Sequence, residues 1–215
     1  LSLADSEDWN FGTGDFTIDI QVRFNSLGVY QAFIAKYLDV NNLWEFYINN
    51  SNQIVMRQDI AGVATYIVTG SWSPVVNTWY HIAVTRSGSS WKLFADGVVI
   101  GTATNSLTIS DWAVQLQIGY AANVGYFNGW IDEVRISKSI ARWTANFAPP
   151  TRNYGRIEAS DLIVTGNVGI GTTGPTANLD VYGGINSFQG MQTADASTTL
   201  LLHMDGMDGA NASTT

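Results

Sequence analysis

Apolar and polar positions alternate without a fault along "FTIDIQVRF" (16–24). Phe16, Ile18, Ile20, Val22 and Phe24 fall on one side, and Thr17, Asp19, Gln21 and Arg23 on the other. A period of two describes a strand of an antiparallel sheet with one wet face. "WEFYIN" (44–49) and "QIVMRQ" (53–58) repeat the pattern across the turn residues Asn49, Asn50, Ser51 and Asn52. "TWYHIAVTR" (78–86) and "WKLFADG" (91–97) flank "SGSS" as a hairpin, and Asp96-Gly97 turns the chain into "VVIGTA". "VQLQIGY" (114–120) and "GWIDEVRIS" (129–137) complete the set. The same spacing predicts a core of Phe16, Ile18, Ile20, Val22, Trp44, Phe46, Ile48, Ile82, Val84, Leu116 and Ile118.

Short strands separated by Gly, Asn and Ser turns describe an all-β fold, a two-sheet antiparallel sandwich of the jelly-roll kind. "KSIARWTANF" (138–147) is expected to form one helical turn, which Pro149-Pro150 stops. Beyond Pro150 the composition shifts to Gly, Thr and Asn with few aromatics. The chain therefore reads as a sandwich over 1–150 and a small β-rich C-terminal appendage. That appendage is a thin connector over 151–190, with short strands at "DLIVTG" and "NLDVYG", and a final segment over 191–215. Too few large apolar residues stand in the connector for a substantial core of its own.

The final segment changes the picture. In "STTLLLHMDGMDG", Leu200, Leu202 and Met204 alternate with Leu201, His203 and Asp205, and the two Asp-Gly pairs supply turns. This is a strand in need of a sheet.

Composition narrows the function classes. Charged residues are 13% of the chain and the formal net charge is −8. Nucleic-acid binding needs a concentrated basic footprint, and the few cations here are scattered. No apolar run approaches the roughly 20 residues of a membrane span. There is no cysteine, so no disulfide framework exists.

"NTWYHIAVTRSGSSWKLFADGVVIGTA" followed by "FNGWIDEVRIS" resembles the laminin-G-like, concanavalin-A-like jelly roll. The resemblance covers roughly residues 1–150 and implies two stacked sheets with roles in adhesion, glycan binding or particle architecture. It places the protein outside the cell, on a cell surface or on a virion. "GNVGIGTTGPTANLDVYG" (166–183) resembles a segment of phage tail fibres, and "TLLLHMDG" resembles the opening strand of another laminin-G-like domain.

Candidate chemistry is sparse, and no catalytic residues are assigned. "GIGTTG" (169–174) matches a dinucleotide fingerprint formally, but Pro175 follows where a helix would have to open. Glycoside hydrolysis needs a spaced carboxylate pair. Only Glu7, Glu45, Glu133 and Glu158 are present as glutamates, and Asp132 and Glu133, adjacent on a strand, are expected to face opposite sides. His81, inside a strand, reads as structural. Asp39, Asn41 and Asn42 in "LDVNN" could supply oxygen ligands to calcium, the one cofactor suggested, or simply stabilise a turn. For glycans, an aromatic and amide platform is expected from Tyr120, Asn123, Tyr126 and Asn128 in "GYAANVGYFNGW", with Trp112 nearby. The alternative is that Tyr120 and Trp130 are core residues at strand ends.

The leading expectation is a non-enzymatic structural and adhesive subunit of a fibre. A lectin-like carbohydrate-binding module is the second reading, and a glycan-cleaving enzyme the third. Expected partners are other copies of the chain and cell-surface glycans. Relative to the family, the sandwich starts past its own first strand and carries a spare one at its end. Thr198, Leu200, Leu202 and Met204 are therefore expected to complete a sheet by β-augmentation. The strand can fold back within the chain or enter the next copy. The next copy is preferred, because an open head-to-tail contact makes a filament.

Overall fold

The computed structural model describes residues 1–150, 168–170, 179–181 and 198–202. Its strands are β1 (Ser2–Leu3), β2 (Phe16–Phe24), β3 (Gln31–Asp39), β4 (Asn42–Ile48), β5 (Gln53–Ile60) and β6 (Val63–Ser71). Then follow β7 (Trp79–Ser87), β8 (Ser90–Ala95), β9 (Val98–Thr104), β10 (Leu116–Ile118), β11 (Tyr120–Ala121), β12 (Gly125–Tyr126) and β13 (Gly129–Lys138). Past the sandwich lie β14 (Val168–Ile170), β15 (Leu179–Val181) and β16 (Thr198–Leu202).

Two six-stranded antiparallel sheets carry the fold: β1-β10-β3-β4-β5-β6 and β16-β13-β2-β7-β8-β9. All eleven residues expected in the core are buried in one apolar cluster, joined by Trp91, Leu93, Val134 and Ile136. The alternation of β2 therefore has the expected phase, since a one-residue slip would turn its apolar set outward.

Two compact units emerge: Leu1–Thr151 together with Ala194–Thr215, and Arg152–Thr193. Within the second, β14 and β15 pair in parallel. β15 falls in the expected "NLDVYG"; "DLIVTG" lies outside the described residues.

Three expectations need correction. The stretch "VQLQIGY" is not one strand: Leu116–Ile118 form β10 and Tyr120 opens β11, because Gly119 (φ +74°) breaks the chain between them. "KSIARWTANF" forms no helical turn. Ser139 sits at φ +66° and the chain crosses the outer face of the second sheet, stacking Trp143 on Phe147 at 3.9 Å and setting both edge-on to His81. At Asp132 and Glu133 the simple alternation fails: a bulge between Asp132 and Arg135, with Glu133 at φ +49°, interrupts the pairing with β2.

Strand β16 pairs antiparallel with β13 of the same chain, with Leu202 opposite Val134, Leu200 opposite Ile136 and Thr198 opposite Ser137. Within the chain this is the fold-back geometry. Met204 lies outside the described residues.

Candidate functional site

The site follows from what alternation leaves outside. Trp44, Phe46 and Ile48 of β4 face the core, so Glu45 and Tyr47 stand on the outer face of the first sheet. Cross-strand register then sets Gln117, Ala35, Glu45, Arg57 and Tyr66 in one transverse row over β10, β3, β4, β5 and β6.

Part of this face is roofed. The β11–β12 hairpin lays Ala121 and Val124 onto Ala32, Ala35, Tyr47 and Val55 in a second apolar cluster. Alanine at 32 and 35 leaves the room that the hairpin fills. Asn123, at its tip, donates from Nδ2 to Glu45 Oε1 at 3.2 Å.

Arg57 organises the charges. Its Nε donates to Asp59 Oδ1 at 2.7 Å, its Nη2 donates to Asp59 Oδ2, and its Nη1 lies 3.4 Å from Glu45 Oε1. Burial would lower the guanidinium's pKa, but the hydrogen bonds and charges of Asp59 and Glu45 outweigh it and hold it above the ordinary value. Glu45 Oε2 is buried with no hydrogen-bond partner. Desolvation pushes the Glu45 carboxyl up to about 7, against the opposing pull of Arg57 and Asn123. Burial and the neighbouring carboxylate likewise raise the Tyr47 phenol.

Aromatic rings border these groups. Tyr66, 61% exposed, lies under Arg57 at 5.5 Å. Tyr30 stacks on Tyr47 at 6.2 Å, and Tyr126, 75% exposed, lies 4.4 Å from Tyr120 on the hairpin. Two of the five N–H groups of Arg57 are not engaged by carboxylates, Asn123 is an exposed residue, and Tyr66 and Tyr126 offer flat faces and hydroxyls. Such a surface can hydrogen-bond hydroxyls and stack apolar sugar faces. As for acid–base chemistry, the carboxyl tuned toward neutrality is enclosed, with a side-chain exposure of 0%.

The expected glycan platform is split. Tyr120, Asn123 and Tyr126 share the hairpin over Glu45. Trp112 packs instead against the core between the sheets. Asn128 is engaged in loop closure: its amide donates to Ser26 Oγ, its backbone N–H to Gln31 Oε1, and its Oδ1 accepts from Asn25. Sequence reasoning missed Tyr30, Tyr47, Arg57, Asp59 and Tyr66, and took Glu45 only as one glutamate among four. A signal was present, because an outward Glu between inward aromatics in "WEFYIN" marks a polar site on the opposite face.

Asp39, Asn41 and Asn42 close the β3–β4 hairpin. Asp39 Oδ1 accepts from the Asn41 backbone at 2.8 Å and from the Asn42 amide at 3.2 Å, and Asn42 Oδ1 accepts from the Ala61 backbone. These N–H groups aim positive hydrogens at Asp39, so a calcium ion there has to displace them. Among the described residues, no group of three or more His, Asp or Glu side chains could hold a metal. On the other sheet, Asp19 accepts from Arg135 Nε and Nη2 at 3.0 Å and lies 3.2 Å from His81 Nε2, beneath Trp143 and Phe147. That arrangement fits the structural reading of His81.

Two antiparallel sheets stacked around one core define a lectin-type sandwich. The chain belongs to the concanavalin A-like lectin/glucanases superfamily, whose laminin G-type profile matches residues 2–142. No curated protein matches it. Among solved structures it is similar to domain 4 of AbnA, an extracellular arabinanase from Geobacillus stearothermophilus in complex with arabinotriose. The identity is 17% and the TM-score 0.52, with 65% of this chain and 66% of that chain covered. Domains LG4-5 of the mouse laminin α1 chain match at 15% identity and TM-score 0.47, covering 70% and 44%. A leech intramolecular trans-sialidase matches at 15% and 0.49, covering 73% and 28%. The chain thus spans between about a quarter and two thirds of these relatives' lengths.

Proposed function

We propose that this chain is an extracellular, non-enzymatic carbohydrate-binding module that takes an oligosaccharide on the outer face of its first sheet. The observation that carries this reading is the continuous run Tyr66–Arg57–Glu45–Asn123, in which exposed rings and amide donors border an internally braced polar centre. The superfamily supports it, and so does the similar fold of an arabinanase domain in complex with arabinotriose. Enclosure of Glu45 favours binding over turnover, because a general acid must reach the leaving oxygen.

A glycan array followed by calorimetry tests the reading, with arabinotriose among the probes. Tyr66→Ala and Tyr126→Ala, both at exposed rings, are expected to weaken binding about two- to tenfold each, in line with the ~0.5–1.5 kcal/mol of an aromatic contact. Trp79→Ala and Trp130→Ala alter exposed rings on the second sheet and should leave affinity intact. Binding lost through the tryptophans instead, or no glycan bound at all, refutes the assignment. Sugar released from a polysaccharide panel, and lost in Glu45→Gln, would refute the non-enzymatic part.

A second reading is favoured by the pairing of β16 with β13. In a fibre, the same strand supplied by the next copy would join modules head to tail, with residues 151–190 as connector. Deleting residues 197–215 is then expected to leave an unstable monomer and abolish assembly in sedimentation velocity runs. Leu202→Asp should act like the deletion. A deletion variant that stays folded and still assembles rules this reading out.

A further inference from the structure

We propose that the outer-face site selects neutral oligosaccharides and rejects acidic ones, because the charge of Arg57 is already held by Asp59 and Glu45. The inference rests on the glycan-binding reading above and deepens it. A free arginine beside exposed tyrosines would suit a sugar carboxylate or sulfate, since its fork matches such anions. Here that fork is turned inward. Nε and Nη2 engage Asp59 on both oxygens, and Nη1 faces Glu45.

Taken together, the groups that face one another are two carboxylates, one guanidinium, the amide of Asn123 and the phenols of Tyr47 and Tyr66. With both carboxylates ionised they sum to one negative charge. β3 contributes only Ala35 to this row, and the hairpin only Asn123, so neither element offsets it. An anionic ligand placed on Tyr66 and Asn123 meets repulsion and finds no unpaired cation. The remaining Arg57 N–H groups still donate to neutral hydroxyls.

The selectivity is tunable in a direction the site dictates. Glu45 titrates near neutrality, so acidification removes the excess negative charge. Uronic and sialic acids, ordinary carboxylic acids, stay ionised at about pH 5. Discrimination should therefore be strongest above neutrality and weaken on acidification.

The experiment compares matched probes on the full chain at about pH 8 and about pH 5. The pairs are trigalacturonic acid with its methyl ester, and 3′-sialyllactose with lactose. Arabinotriose serves as a further neutral ligand. At the higher pH the acidic member of each pair is expected to bind at least tenfold more weakly. The gap should shrink at least threefold at the lower pH. Asp59→Asn should shrink it at the higher pH too, by releasing the Arg57 charge, and Glu45→Gln provides the same test should the first variant not fold. Acidic members binding as tightly as neutral ones in the wild type overturn the proposal. So does a gap that neither acidification nor either variant alters. Failure of every probe, neutral ones included, instead removes the glycan-binding reading beneath it.

Discussion

Replacing Glu45 by Gln converts the chemistry of the site into a measurable stability profile. In the folded chain desolvation raises this carboxyl from 4.5 to about 7. Between those pH values the folded state keeps a proton that the unfolded state has released. Stability therefore falls as pH rises across the window, by about 1.4 kcal/mol per unit. The benefit is complete below pH 4.5 and gone above about 7, a total of about 3 kcal/mol. Glu45→Gln has no such proton. Its carbonyl still accepts from Asn123 and Arg57, while its amide nitrogen takes the place of the unpartnered Oε2. A buried donor without an acceptor costs about 1–3 kcal/mol at every pH. Protonated Glu45 carries a comparable unpaired donor at Oε2. The two proteins should therefore be close in stability in acid, and the variant should be the more stable by up to about 3 kcal/mol in mild base. Urea denaturation followed by tryptophan fluorescence, run on both proteins from about pH 4.5 to pH 8, gives the difference curve. A difference constant to within about 0.5 kcal/mol across that range would show that Glu45 titrates as an exposed carboxylate, and would refute the reasoning.

Other substitutions probe the rest of the fold. Ile20 is fully buried on β2, between β13 and β7; Ile20→Asp should cost at least about 3 kcal/mol in guanidinium denaturation, since it deletes apolar packing and buries a charge. Gly97 has φ +74°, and a Cβ there would lie 1.9 Å from the Phe147 carbonyl oxygen. Gly97→Ala should lift residues 143–147 from His81, costing about 2 kcal/mol and opening amide exchange at Phe147. Calcium titration by calorimetry should give no saturable heat, given the donors around Asp39; saturable heat that disappears in Asp39→Ala would instead establish calcium at that turn.

The sequence alone was enough for the sandwich. β2, β4 and β7 each turn large apolar side chains to the core and mostly polar ones to the opposite face, so a period of two is written directly into the order of their residues. The core list followed from that spacing because only neighbours along the chain are needed to read it. Strand β3, "QAFIAKYLD", escaped notice for the opposite reason. Its outward positions under the β11–β12 hairpin are Ala32 and Ala35, and a bulge between Ala32 and Ile34 puts Phe33 and Ile34 both in the core cluster, so it carries no alternation to read. The expected helical turn at 138–147 failed similarly: two rings four apart suit a helix, but here they stack on each other and stand edge-on to His81.

The site belonged to tertiary structure. Asn123 was legible as part of a polar loop, but Glu45, Arg57, Asp59 and Tyr66 become neighbours only through the register of β4, β5 and β6. Glu45 acquires its near-neutral carboxyl only when a hairpin from 78 residues away closes over it. Periodicity is a local property, and a sequence displays it openly. Desolvation and pairing depend on what arrives from elsewhere in the chain, so the fold alone decided which carboxylates hold Arg57 and which rings remain in solvent.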